Sequence, residues 1–195
     1  MPSLEKFRKS LESFDVDKDT ITRSQSGFEN LTHKATKPKR AAYFKHAVDV
    51  LSEELPAEKF QEIFEGNACC KGGAREKASK AFAKENAHLS LEEKLAKVKS
   101  VPYMGDAHLN QDGTITLNAV SWFENGKFHC ACSNFSKVKR VYPVSKNYCF
   151  CCAGHFLHHY QIMLGQKLKT LEIISSPLDS DGTNSCVMRF AIIEP

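Results

Sequence analysis

The spacing of apolar residues changes at Pro102, and no other feature of the sequence constrains the fold as much. Before Pro102 they recur every three or four positions, the repeat of a helix with one buried face. Leu4, Phe7, Leu11 and Phe14 predict a first helix, broken by the polar stretch 15–27. A second is predicted over 38–55, with Ala42, Val48 and Leu51 among its apolar positions. Pro56 suits the first turn of a third, which carries Phe60, Ile63 and Phe64 and stops at Gly66 and the CCKGG segment. Two more are expected near 74–87 and over 91–98. Ser90 and Glu93 supply a capping box for the last of them.

Beyond Pro102 the pattern is that of strands and tight turns. Asn110-Gln111-Asp112-Gly113 is a turn, 114–123 reads as a strand, and Glu124-Asn125-Gly126 leads into a second strand over 127–132. A helix over 149–164 ends at Gly165, a natural C′ residue. Strands over 168–175 and 186–193 flank the turn-rich PLDSDGTN. The expectation is one α+β domain over 1–195. Its helical part, 1–100, packs on a small antiparallel sheet, and 101–195 runs in the order β-β-α-β-β.

With 42% hydrophobic residues, a 195-residue chain can bury a sizeable core. The net charge of +4 is spread along the chain, and the one basic run, KATKPKR at 34–40, reads as a solvated linker. No nucleic-acid partner is therefore expected. The segment MPSLEKFRKSLESF has no apolar h-region, and no stretch approaches the roughly 20 apolar residues of a membrane span. A cytoplasmic protein without a membrane partner is expected. In a reducing compartment, eight cysteines point to metal or thiol chemistry in preference to disulfides.

The cysteines gather with histidines between Cys130 and His159. Cys130-x-Cys132 on a strand would place both sulfurs on one face, with His129 opposite. Cys149, Cys151 and Cys152 open the following helix. Helical spacing aligns Cys151, His155 and His158, while Phe150, Ala153, Leu157, Tyr160 and Leu164 form the apolar side. Cys130, Cys132, Cys149, Cys151, Cys152 and His155 are the candidate metal ligands, with Cys69, Cys70 and His158 behind them. Zinc is favoured over an iron–sulfur cluster because histidines accompany the thiolates. In the alternative, a thiol-dependent enzyme such as a small-molecule hydrolase, Cys149 or Cys151 would be the nucleophile and His155 or His108 the base. A small-molecule ligand is compatible with either chemistry, and a homodimer stays open. Cys186 reads as a core thiol.

Other signals are weaker. Asp15-x-Asp17-x-Asp19 resembles a calcium loop, but Thr20 and Ser26 stand where Gly and Glu belong, so it reads as a helix-ending turn. Gly105 to His108 reads as a loop with a polar tip, and Trp122 and Phe123 as core. The run Tyr148 to Phe156, the helix to Gly165, the Gly182 turn and Cys186 before the last strand resemble 4-vinyl-reductase-like domains. They also resemble L-2-amino-thiazoline-4-carboxylate hydrolase-like domains. The resemblance covers about 50 residues and implies the fold of the TRAPP subunits, helices on a small antiparallel sheet, with binding of small hydrophobic molecules or metal. Gly154 matches the helix Gly and Cys186 the pre-strand Cys, while Met188 departs from a usual aromatic. NACCKGG, FHCACSNF and YCFCCAGHF further resemble segments of a cysteine-rich bacterial family.

Overall fold

In the computed structural model, which describes residues 4–32, 34–119, 121–140 and 142–193, the change at Pro102 divides helices from strands. Six helices precede it: α1 (Leu4–Ser13), α2 (Lys18–Gln25), α3 (Lys37–Glu54), α4 (Ala57–Gly66), α5 (Gly73–Glu85) and α6 (Leu91–Val98). Then come β1 (Asp106–Leu109), β2 (Ile115–Asn118), β3 (Ser121–Glu124) and β4 (Lys127–Cys130). A 3-10 turn (Lys146–Cys149) leads into α7 (Phe150–Leu164), β5 (Lys167–Ser175) and β6 (Val187–Ile193). The fold is α+β, and every strand pairing is antiparallel.

The predicted helices form because their apolar stripes are buried. α1 buries Leu4, Phe7 and Leu11, and α4 buries Phe60, Ile63 and Phe64. The capping box at Ser90 and Glu93 is made in both directions. The polar stretch after α1 holds a helix of its own, α2, which periodicity misses because it buries only Thr20 and Ser24. The aspartate run does end a helix, since Asp15 closes α1 in the left-handed conformation (φ 51°) with the Val16 N–H bonded to the Leu11 carbonyl at 3.0 Å. It also starts one, since Asp17 caps α2 by accepting the Thr20 N–H at 2.8 Å. The basic run is no linker past Lys37: it forms the first turn of α3, with Pro38 at its start.

Two sheets stand where one hairpin was expected. The larger has the order β1-β2-β6-β5, and β3 and β4 form a separate two-stranded ribbon. The predicted strand 114–123 is therefore two strands. β2 pairs with β6, Leu117 opposite Met188, and β3 pairs with β4, Trp122 opposite His129. The chain leaves the first sheet where the Ala119 N–H bonds the Cys186 carbonyl at 2.9 Å. Residues 106–109, read as a loop, make the edge strand β1, His108 opposite Thr116. Four residues give alternation too little length to show. The order after Pro102 is thus β-β-β-β-α-β-β. In β5 the inward set shifts from Leu168 and Thr170 to Ile173, across irregularities in its pairing with β6.

An aromatic cluster ties the helices to the second half. Phe7 packs on Phe44 and Phe64, both of which reach the fully buried Tyr148 just before α7. Burying each such ring is worth roughly 1.5–3 kcal/mol. α7 is buried on more than the one side that periodicity suggested, since α4, α5 and β5 all pack on it. Where α7 meets α4, a Cβ on Gly154 would lie 2.7 Å from the Glu65 Cα, so only glycine permits this approach. Gly165 ends the helix in the left-handed conformation (φ 70°). Phe123 is 64% exposed and is not core.

Candidate functional site

Residues from six separate segments line a cavity of about 420 Å³. The end of β4 and the following loop bring Cys130 and Cys132. The first turn of α7 brings Cys151 and Cys152. Cys186 arrives just before β6, and the loop between α4 and α5 supplies Cys69 and Cys70. Seven of the eight cysteines thus line one space, with Trp122 and Phe156 as apolar walls. All eight are free thiols. The eighth, Cys149, does not line the cavity: it is buried behind the wall, where its Sγ donates to Ser176 Oγ at 3.2 Å.

Cys130 and Cys132 reach this cavity without sharing a strand face. β4 ends at Cys130, and the chain turns so that the Cys132 N–H points at Cys130 Sγ, 3.4 Å away. The Cys132 sulfur lies 3.2 Å from the Tyr148 hydroxyl, which also accepts from Asn134 Nδ2 at 3.1 Å. Tyr148 therefore links the aromatic core directly to the sulfur cluster.

The thiols set one another's protonation. Hydrogen bonds from Cys132 and Cys186 hold the Cys130 thiol well below its ordinary range, and the nearby Arg140 charge helps. In return, the bond to Cys130, then burial, pushes Cys132 far up. Cys186 is pushed up by its bonds to Cys130 and Cys149. Cys151 is raised by its contact with Cys152, then by burial. The bond from Cys151 lowers Cys152, but burial and the charges of Cys132, Cys149 and Cys130 outweigh it. Cys130 is accordingly the thiol of the group most inclined to lose its proton, whereas burial and one another's presence push Cys132, Cys151, Cys152 and Cys186 the other way. Ionising several of them together requires a cation.

Three histidines of α7 have three different fates. His155 lines the cavity, is buried, and its Nδ1 finds no partner among the described residues. Burial first, then the charges of His159 and Arg75, lower it to about 4, so it is neutral at pH 7. His159 is fully buried and structural. Its ring bridges Ser79 Oγ (2.8 Å) and the Cys70 carbonyl (2.9 Å), fixing the Cys69–Cys70 loop on α7. His158 faces surface clefts beside Gln161 and does not line the thiol cavity.

The fold thus brings together Cys130, Cys132, Cys149, Cys151, Cys152 and His155, and adds Cys69 and Cys70 from across the chain. His158 and His108 lie elsewhere, the latter exposed on β1. Cys186, read as an isolated core thiol, belongs to the cluster. Its signal was its place at the mouth of β6, but the pairing that carries it to Cys130 is long-range. Arg75 was also missed; it sits 4.6 Å over the Tyr103 ring at the cavity mouth. Among the described residues, no three His, Cys, Asp or Glu side chains stand ready around one point to hold a metal ion. No helix of the described residues is long and apolar enough to cross a membrane.

Fold and site together define an α+β domain with a cysteine-walled cavity that opens beside Tyr103 and Cys70. Comparison with family models, with curated proteins and with solved structures finds no match.

Proposed function

We propose that the protein is a thiophilic-metal-binding module, with zinc the first ion to test, whose cavity leaves room for a small molecule beside the metal. The observation that carries this reading is the convergence of seven thiols and an unpartnered histidine nitrogen on one cavity. Buried thiols held protonated by one another are poor neighbours for water but good ligands once a cation offsets their charges. Cys130, Cys132 and Cys186 form the starting set, with Cys149, Cys151, Cys152 or His155 completing four. Small rotations about χ1 would turn sulfurs now bonded to one another toward a shared centre. A closed set would be structural, and a set of three would leave a position for water or ligand. The likeness to 4-vinyl-reductase-like domains is part of this proposal and rests on Gly154, Gly182 and Cys186.

Elemental analysis of protein purified without a histidine tag tests the reading. About one zinc per chain is expected, lost with a fall in melting temperature in the Cys130→Ser/Cys132→Ser variant. A stoichiometry near zero, both as purified and after loading with zinc, would sink it.

One observation favours a second reading, a thiol-dependent enzyme. Cys130, the thiol drawn toward the thiolate, faces the cavity, whereas Cys151 is raised and Cys149 lies behind the wall. Loss of activity on alkylating Cys130 alone, with no metal released, would support it over metal binding.

A further inference from the structure

Behind the thiol cavity lies a second one, of about 490 Å³, between the β3–β4 ribbon, the 135–140 segment and the turn at 177–182. Trp122 and Cys130 line both cavities. The second has the opposite character. Lys127, Lys137, Lys139 and Arg140 bring four cations to it, against the two carboxylates of Glu124 and Asp181. That surplus of two is half of the chain's net +4.

The cations are not equivalent. Lys127 is neutralised by Asp181 at 2.6 Å. Arg140 donates its hydrogen bonds to backbone oxygens: Nη1 to the carbonyls of Leu178 (3.0 Å) and Tyr142 (3.3 Å), and Nη2 to that of Pro177 (3.4 Å), while its guanidinium also lies 5.9 Å over the Phe135 ring. Carbonyls orient a guanidinium without cancelling its charge. Among the described residues, no carboxylate pairs with Lys137, Lys139 or Arg140. Lys137 also holds a left-handed backbone (φ 61°), an uncommon conformation for a long side chain, within the turn that projects it at the cavity. Opposite, Trp122 stacks on His129 with centroids 5.5 Å apart and planes 15° apart, a flat wall. The floor is tight: the Phe128 N–H bonds the Gly182 carbonyl at 2.8 Å, and a Cβ on Gly182 would come 2.9 Å from the Phe128 carbonyl.

We infer that this cavity binds a small organic anion, its carboxylate or phosphate between Arg140 and the two lysines and its flat body on the Trp122–His129 wall. Three cations without a paired carboxylate among the described residues favour negative charge, one of them pre-oriented. A stacked wall favours a planar body over a bare ion. The inference does not rest on metal binding, since the groups it uses differ from the proposed ligands except for Cys130, which contributes only wall.

Trp122 is the one tryptophan of the chain, so its fluorescence reports on this wall. The test titrates the full chain with phenyl phosphate and benzoate, using benzyl alcohol as the neutral control, and follows emission together with the amide NMR shifts of 124–130 and 177–182. Saturable binding of both anions is expected, weakened by added salt, with no binding of benzyl alcohol. The Lys137→Ala/Lys139→Ala variant should bind about tenfold more weakly while keeping the wild-type melting temperature and metal content. Equal binding of benzyl alcohol, undiminished binding by the variant, or no saturable response from either observable would overturn the inference. Loss of metal with anion binding intact would count against the proposed function alone.

Discussion

The thiol cavity and the basic cavity share Trp122 and Cys130 but are built by opposite means. The first takes its shape from α7, a helix seated in the core against α4, α5 and β5. The second is shaped by a ribbon and two loops, joined through backbone hydrogen bonds and one exposed ion pair. A helix in a close-packed core transmits displacement, whereas surface charges act through water and ions. Changes to helix packing should therefore reach the thiols and spare the anion site, and changes to surface charge should do the reverse.

The largest effect that would break this division is Gly154→Ala. The added methyl meets the Glu65 backbone, which cannot rotate away as a side chain would, so α7 must move off α4. A loss of about 3 kcal/mol is expected, at the upper end for overpacking, less the small helix-propensity gain of alanine. Chemical denaturation measures the loss, and a thiol reagent such as Ellman's measures how far the cavity opens. Phenyl phosphate binding should stay as it was. Wild-type stability in the alanine variant would show that this crossing does not set the position of α7.

The same contrast explains what the sequence disclosed. The stripes of α1, α3 and α4, the cap of α6 and the Gly165 stop are local, and each was legible because residues within a turn or two of each other decide them. The thiol cluster was legible in part, because six of its eight cysteines lie between 130 and 186. Its closure was not. Cys186 meets Cys130 because β6 pairs with β2, and Cys70 is fixed on α7 through the His159 ring, both contacts between residues far apart in the chain. His158 looked the better ligand on a helical wheel with one buried side. The burial of α7 by three partners reversed that, making His159 the core residue. The split of 114–123 into two sheets was invisible for a related reason: two short strands with little between them keep one continuous alternation. The basic cavity left almost no trace, since Lys127, Lys137, Lys139 and Arg140 form no run outside 137–140.

Acid offers a milder way to separate the two regions. In the metal-free protein His155 titrates at about 4, against about 6.5 in an unfolded chain. Between those values the unfolded chain binds more protons, so the stability held above pH 6.5 drains away as the pH falls toward 4. His159, lowered chiefly by burial, acts with the same sign. About 2 kcal/mol should be lost between pH 8 and pH 5 from His155 alone, read from denaturation midpoints. His155→Gln should flatten the profile over that range. A profile unchanged by the substitution would mean that the imidazole is not held neutral by the fold.

The smallest effect belongs to the ion pair at the rim of the basic cavity. Lys127 and Asp181 are mostly exposed, so their pairing contributes little to folding, although the lysine holds the Asp181 carboxyl below its usual range. Its consequence is electrostatic: Asp181 cancels one of four cations at the cavity. Asp181→Asn removes that charge and keeps a side chain that tolerates the left-handed backbone found here (φ 48°). The melting temperature should not move measurably, whereas phenyl phosphate should bind about threefold more tightly, the gain shrinking as salt is added. Metal content should be unaffected. Weaker binding in Asp181→Asn would show that the carboxylate serves by holding Lys127 in place, and the anion would then have to be drawn by a fixed Lys127 as well as by Arg140.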